Sequence, residues 1–475
     1  MAELHDLTAL EQARAIRRRE ISSVELTEHY RQRSDARAVD VGAFITRTDD
    51  LALAQARAAD ARVADADEHE SLGPLFGTVV PAKDLNFVAG VRCTLGSVTY
   101  DVVPYGDDNV VTRMRQGGLV ISGTTNTPEF GLPCYTENDV APPARTPWDL
   151  RRSAGGSSGG AAAAVSAGLA SAAQGSDGGG SIRIPASVTG LVGIKPARGR
   201  ISNGPLRDPV GELPHQGVLA RTVRDAAALL DVLAEPFPDD PFVAVAIEGT
   251  FLDAAEREPG RLRIGRYATP VIAETVVHPA CLAAYEEASR LLERLGHDVE
   301  DVAPPFTPAE VPAFESVWSV LALLTPVPPE DEQRLLPLTR WLRDRGRQVT
   351  GIELAQAVST MRILSRAAIT AASAYDVVLT PTLAQPPALV GAMRDDADPA
   401  GDFAAQKRFT PFTAPYNVTG QPAISVPLHW AEIDGVTLPI GVQLVGRPAD
   451  EPTVISLAAQ LEAVAPWATR RPPIW

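Results

Sequence analysis

An α/β fold is predicted by three features of this 475-residue chain. Alanine-rich stretches of helical character alternate with short Val/Ile/Leu runs, as expected when helices pack on a sheet. Hydrophobic residues make up 45% and charged residues 21%, enough apolar side chain for a sizeable core under an ordinary polar surface. Residues 261–265, 279–295 and 299–302 then read as strand, helix and strand in succession.

Taken in order, residues 1–70 read as helices. Ser22-Ser23-Val24-Glu25 is a capping-box pattern ahead of Leu26, and Thr48-Asp49-Asp50 opens a second, alanine-rich helix. From Gly73 the texture changes: residues 77–84 look like a short strand running into a loop, with Lys83 at its end. Residues 110–116 suggest a helix and 119–123 a buried strand. A loop over 141–153 leads to the densest glycine region, where 161–173 is a strong helix former and 191–194 is strand-like. Thr222-Val223-Arg224-Asp225 opens another helix. Residues 306–373 are mostly helical, and 376–380 and 423–426 read as buried strands ended by Pro381 and Pro427. Residues 236–241 and 394–401 look like surface loops, so the reading is a helical segment over 1–70 packed on one compact unit, 71–475.

Composition narrows the function. A net charge of −16 and a pI near 5.0 argue against a nucleic-acid partner, because phosphate binding needs clustered Lys and Arg. Three scattered cysteines suit neither a disulfide framework nor a zinc site. The polar start, with no signal peptide, and the lack of any apolar run of roughly 18 residues predict a cytoplasmic protein that does not enter a membrane.

Two serine-bearing glycine loops stand out, Gly155-Gly156-Ser157-Ser158-Gly159-Gly160 and Asp177-Gly178-Gly179-Gly180-Ser181-Ile182-Arg183. A run of glycines lets successive N–H groups converge beside the Ser181 hydroxyl, which is what acyl transfer needs. A turn with a capping serine is the commoner use of such a short motif. A nucleophilic serine also needs a base. None of the seven histidines sits in a recognisable motif, although His215 and His429 lie near plausible site segments; HExxH and the GxSxG elbow are absent. Lysine serves instead if burial lowers its pKa, and Lys83 after apolar Val79-Val80 is the candidate. A phosphate-cradling role for residues 155–160 is poor: the Walker lysine is missing and no clear strand precedes the loop.

Pro81-Ala82-Lys83-Asp84 and the two glycine loops, in this order and spacing, resemble the amidase signature family. The likeness runs from about Gly73 through Lys195-Pro196-Ala197-Arg198-Gly199-Arg200 and resumes at Tyr375-Asp376 and over 417–448. It implies a central twisted mixed β-sheet covered by helices on both faces. It implies Ser181 as nucleophile and Ser157, after a cis Gly156–Ser157 bond, as relay to Lys83. The N–H groups of Gly178, Gly179, Gly180 and Ser181 would form the oxyanion hole, with Ser158, Asp177 and Arg183 holding the loop. No metal or cofactor is implied, and the partner would be a small-molecule amide or carbamate substrate of a monomer or homodimer.

Three departures from the family pattern leave the triad untouched: Gly178 where Thr or Ile is common, Gly123-Thr124-Thr125-Asn126 without its lysine, and cysteine at Cys93. The family's glutaminase subunits of tRNA-dependent amidotransferases carry an acidic residue ahead of the segment equivalent to Thr413-Ala414-Pro415-Tyr416-Asn417. Here Thr410-Pro411-Phe412 stands there, which argues against that role. The likeness is nearer to aryl-acylamidases and nylon-oligomer cyclic-dimer hydrolases, and urethanases share the triad. The expected substrates are small hydrophobic or aryl amides, with carbamates or esters as the alternative. Trp318, Leu321, Phe412 and Tyr416 are the pocket candidates, with core packing as the competing explanation for Trp318.

Overall fold

The computed structural model describes residues 3–66, 72–205 and 210–475. The division expected at 70/71 lies outside them. The N-terminal segment holds helices Ala9–Arg17, Ser23–Val41 and Asp49–Asp65. The capping box forms: Ser22 Oγ accepts the Glu25 N–H and the Glu25 carboxylate accepts the Ser22 N–H. The N–H groups of Ala9 and Leu10 donate to the buried Asp225 carboxylate, tying the first of these helices to the helix Val223–Leu233.

That segment also contains a strand, which the all-helical reading lacks. Strands β1 (Phe44–Arg47), β2 (Ala82–Lys83) and β3 (Gly123–Thr125) form a small sheet in the order β1-β3-β2. Four residues are too few for alternation to declare itself, and β1 is specified by its partner. The buried strand expected over 119–123 shrinks to β3 plus a single bridge between Val79 and Val120.

The main sheet is built from β4 (Ala172–Asp177), β5 (Val192–Lys195), β6 (His215–Ala220), β7 (Arg263–Arg266), β8 (Asp298–Asp301), β9 (Val377–Pro381), β10 (Ala423–Ile433) and β11 (Val436–Gly446). Their order is β4-β6-β5-β10-β11-β9-β7-β8. Pairing is antiparallel from β4 to β9 and parallel from β9 to β8, so the sheet is mixed. The parallel pair β7–β8 is the anticipated strand–helix–strand unit, joined by helix Pro279–Arg294. Helices cover both faces. A side chain at Gly441 would meet Ser187 of helix Arg183–Thr189, whereas one at Gly446 would meet Val454 of helix Glu451–Val464. Neighbouring strand positions point to opposite faces, so residues of opposite parity face opposite helices.

Two expectations fail for physical reasons. The alanine run over 161–173 is not one helix: Gly159–Ser166 is helical, Gly168 turns the chain at φ +64°, and Ala172 begins β4. Ala161 to Ala164 are fully buried, and here small size for close packing, not helix propensity, explains the composition. Pro427 does not end its strand either. Strand β10 continues to Ile433, and the register shifts between Val426 and His429, where a residue without an N–H is tolerated.

Candidate active site

Lys83 ends β2 with its side chain fully buried. Its Nζ donates to Ser157 Oγ at 2.7 Å and Ser158 Oγ at 2.9 Å, and contacts Ser176 Oγ at 3.1 Å and the Ser176 carbonyl at 3.3 Å. Burial pushes the amine well below the usual lysine value, with the Asp177 carboxylate pulling the other way. The oxygens that contact Nζ are three serine hydroxyls and one carbonyl. The backbone is held as well: Lys83 N–H donates to Gln174 Oε1 at 2.8 Å, joining β2 to β4.

Ser157 follows a cis peptide bond from Gly156. The close quarters around that turn explain its glycines: a Cβ on Gly156 would lie 2.7 Å from the Tyr135 backbone. Ser158 immediately precedes helix Gly159–Ser166, and its N–H donates to the Ser181 carbonyl at 3.1 Å, lacing the two serine loops together.

Asp177 ends β4 and organises the second loop. Its carboxylate accepts the N–H groups of Gly180 (2.7 Å) and Ile182 (3.2 Å) and a two-point contact from Arg183 (2.9 and 2.8 Å). Burial alone would raise this carboxyl, but the Arg183 guanidinium beside it holds it well below the usual carboxylate range. Arg183, fully buried, also reaches the Thr413 carbonyl, Gln443 Oε1 and Asn417 Oδ1. Asn417 returns to the Asp177 carbonyl and carboxylate. Arg183 is therefore held wholly inside this network.

The four expected oxyanion donors differ in what their N–H groups meet. The Gly180 N–H already donates to Asp177, whereas those of Gly178, Gly179 and Ser181 meet no acceptor among the described residues. Gly180 has a different constraint: φ is +135° and a Cβ would lie 2.4 Å from Thr413 Oγ1.

Ser181 opens onto a cavity of about 110 Å³. Its wall comprises Leu132, Ile184, Phe306, Phe314, Trp318, Met361 and Phe403 among other apolar groups. Of the four pocket candidates only Trp318 lines it. Leu321 packs on the neighbouring helical cluster, Phe412 is fully buried in the main core, and the Tyr416 hydroxyl is paired with that of Tyr267 at 2.9 Å. His215 lies across from Asp177 in the sheet with Nδ1 at 2.7 Å from the Leu213 carbonyl, and His429 pairs with Glu287. Among the described residues no histidine hydrogen-bonds to Ser157 or Ser181.

Sequence reasoning did not reach Ser176, Asn417 or Gln443. Ser176 and Asn417 stand beside or inside quoted motifs, which was the only available signal; Gln443 had none.

The chain has matches among known proteins. The amidase family model matches residues 25–455. The chain belongs to the amidase signature family. It is 35% identical to the 6-aminohexanoate-cyclic-dimer hydrolase of Pseudomonas sp. strain NK87, covering 98% of this chain and 96% of that one. A solved structure of 6-aminohexanoate cyclic dimer hydrolase superposes with a TM-score of 0.91 at 33% identity over the full length of both chains. A bacterial aryl acylamidase structure follows at 0.86 and 25%, covering 98% of each. This amidase is thus a hydrolase of carbon–nitrogen bonds. Among its described residues no helix is long and apolar enough to cross a membrane.

Proposed function

We propose that this amidase hydrolyses small apolar or aryl amides through an acyl-enzyme on Ser181, with Ser157 and Lys83 carrying the proton. The observation that carries the reading is the 2.7 Å contact between Ser157 Oγ and a fully buried Lys83 amine, in a loop laced to Ser181 at the rim of an apolar cavity. Ser181 Oγ adds to the carbonyl carbon and releases its proton to Ser157 Oγ, whose own proton passes to the neutral Lys83 amine. The N–H groups of Gly178, Gly179 and Ser181, which meet no acceptor among the described residues, donate to the negative oxygen in this reading. The C–N bond then breaks, the relay returns the proton to the departing amine, and water cleaves the acyl-enzyme by the same route. Asp177 and Arg183 act as positioning residues that hold the donor loop.

A carbamate or an ester presents the same carbonyl, and the relay does not discriminate between them. The test is hydrolysis of matched aryl amides, aliphatic amides, esters and aryl carbamates. Turnover of apolar amides is the expected result, and hydrolysis of esters alone would overturn the assignment.

A further inference from the structure

Helix Val311–Leu324 places two aromatic rings against the glycine loop. Phe314 and Trp318, one turn apart, stack with centroids 5.4 Å apart at 17°. The two rings meet two successive glycines. A Cβ on Gly178 would lie 3.1 Å from Trp318 Cη2 and Cζ3, and one on Gly179 would lie 3.7 Å from Phe314 Cζ. The first distance is tighter than ordinary packing accepts and the second is normal contact. The indole therefore occupies space that a side chain at residue 178 would claim. Both rings and Ser181 line the same cavity.

We propose that Phe314 and Trp318 set the specificity of this site, from a position fixed by the missing side chain at residue 178, and select amides bearing a flat apolar ring next to the reacting carbonyl. The inference rests on the Ser181 reading above. A substrate ring laid against this near-parallel pair extends the stack, whereas an alkyl chain of equal area gains burial alone. Threonine or isoleucine at residue 178 would displace the indole and open the wall, so the glycine there is a matched partner of Trp318, not slack in the loop.

The experiment compares kcat/KM for two amides of the same amine, one phenylacetyl and one hexanoyl. In the unmodified enzyme the ring substrate is favoured. Trp318→Leu is expected to lower the ring-to-chain ratio about 3- to 10-fold. Gly178→Ala should lower the same ratio, and should have no further effect on it in a Trp318→Leu background, because the clash it creates is with the indole. Gly178→Ala and Phe314→Leu also serve if Trp318→Leu does not fold. A ratio unchanged by these substitutions, or a Gly178→Ala effect equal in both backgrounds, overturns the inference while leaving Ser181 chemistry standing. Failure of a fluorophosphonate to label Ser181 in the unmodified enzyme would remove both.

Discussion

Asp177 and Arg183, six residues apart across the glycine loop, meet through hydrogen bonds of 2.9 and 2.8 Å with both side chains wholly shielded from water. A buried pair of this kind is dangerous to break, because the surviving charge is left unpaired in a low-dielectric interior. Asp177→Ala strands a guanidinium, and Arg183→Ala strands a carboxylate that also orients the Gly180 and Ile182 N–H groups. Each substitution is expected to cost about 3–5 kcal/mol in urea unfolding and to lower kcat together with stability. Loss of activity at unchanged unfolding midpoint would place one of them in direct contact with substrate.

Ser181→Ala removes one hydroxyl at the cavity rim and keeps the Cβ, so little packing is lost although the residue is only 7% exposed. Amide hydrolysis should vanish while the melting temperature stays within a degree or two. Mass spectrometry should find a fluorophosphonate adduct on the Ser181 peptide of the unmodified enzyme and none on the variant. Near-normal turnover by folded Ser181→Ala enzyme would exclude it as nucleophile.

Lys83 sets the pH profile. Its folded-state pKa is lowered by burial, so the free amine accumulates as pH rises through a value below the ordinary 10.5. Activity should therefore climb toward the alkaline side on one proton-loss limb. Lys83→Ala should damage amides more than esters, because an amine leaving group must be protonated and a phenoxide need not be. Lys83→Arg should stay inactive, since guanidinium does not release its proton. An active Lys83→Arg enzyme would refute the relay.

Glu462 supplies a separate test of electrostatics in the fold. Burial pushes its carboxyl up to about 7, despite the Val223 N–H that it accepts at 2.9 Å, and its Oε1 has no partner among the described residues. The folded value lies above the unfolded one. Its stability contribution is therefore complete below about pH 4.5 and is lost as pH rises to about 7. Glu462→Gln keeps an acceptor for Val223 without the charge. It should stabilise the protein by about 1–2 kcal/mol at pH 8 and by much less at pH 4.5. Equal effects at both pH values would contradict the raised carboxyl.

What the amino-acid sequence determined by itself is the set of chemical groups carried on short, contiguous stretches. Lys83, Ser157, Ser158, Asp177, Ser181 and Arg183 lie in short motifs legible from their order and spacing, although the neighbours that require glycine there, Tyr135 at Gly156 and Thr413 at Gly180, come from elsewhere in the chain. The helix starts at Ser22 and Thr222 are legible for the same cause, since a cap acts within one turn. Tertiary structure alone decided the rest. Alanines over 161–173 divide between helix and strand according to what packs on them, and β1 exists because β3 lies beside it. The cavity wall gathers Leu132, Phe306, Trp318, Met361 and Phe403 from segments distant in the chain, while equally apolar Phe412 and Tyr416 turn into the core. An apolar side chain is suited to either place. Which one it occupies depends on neighbours that only the folded chain brings within reach.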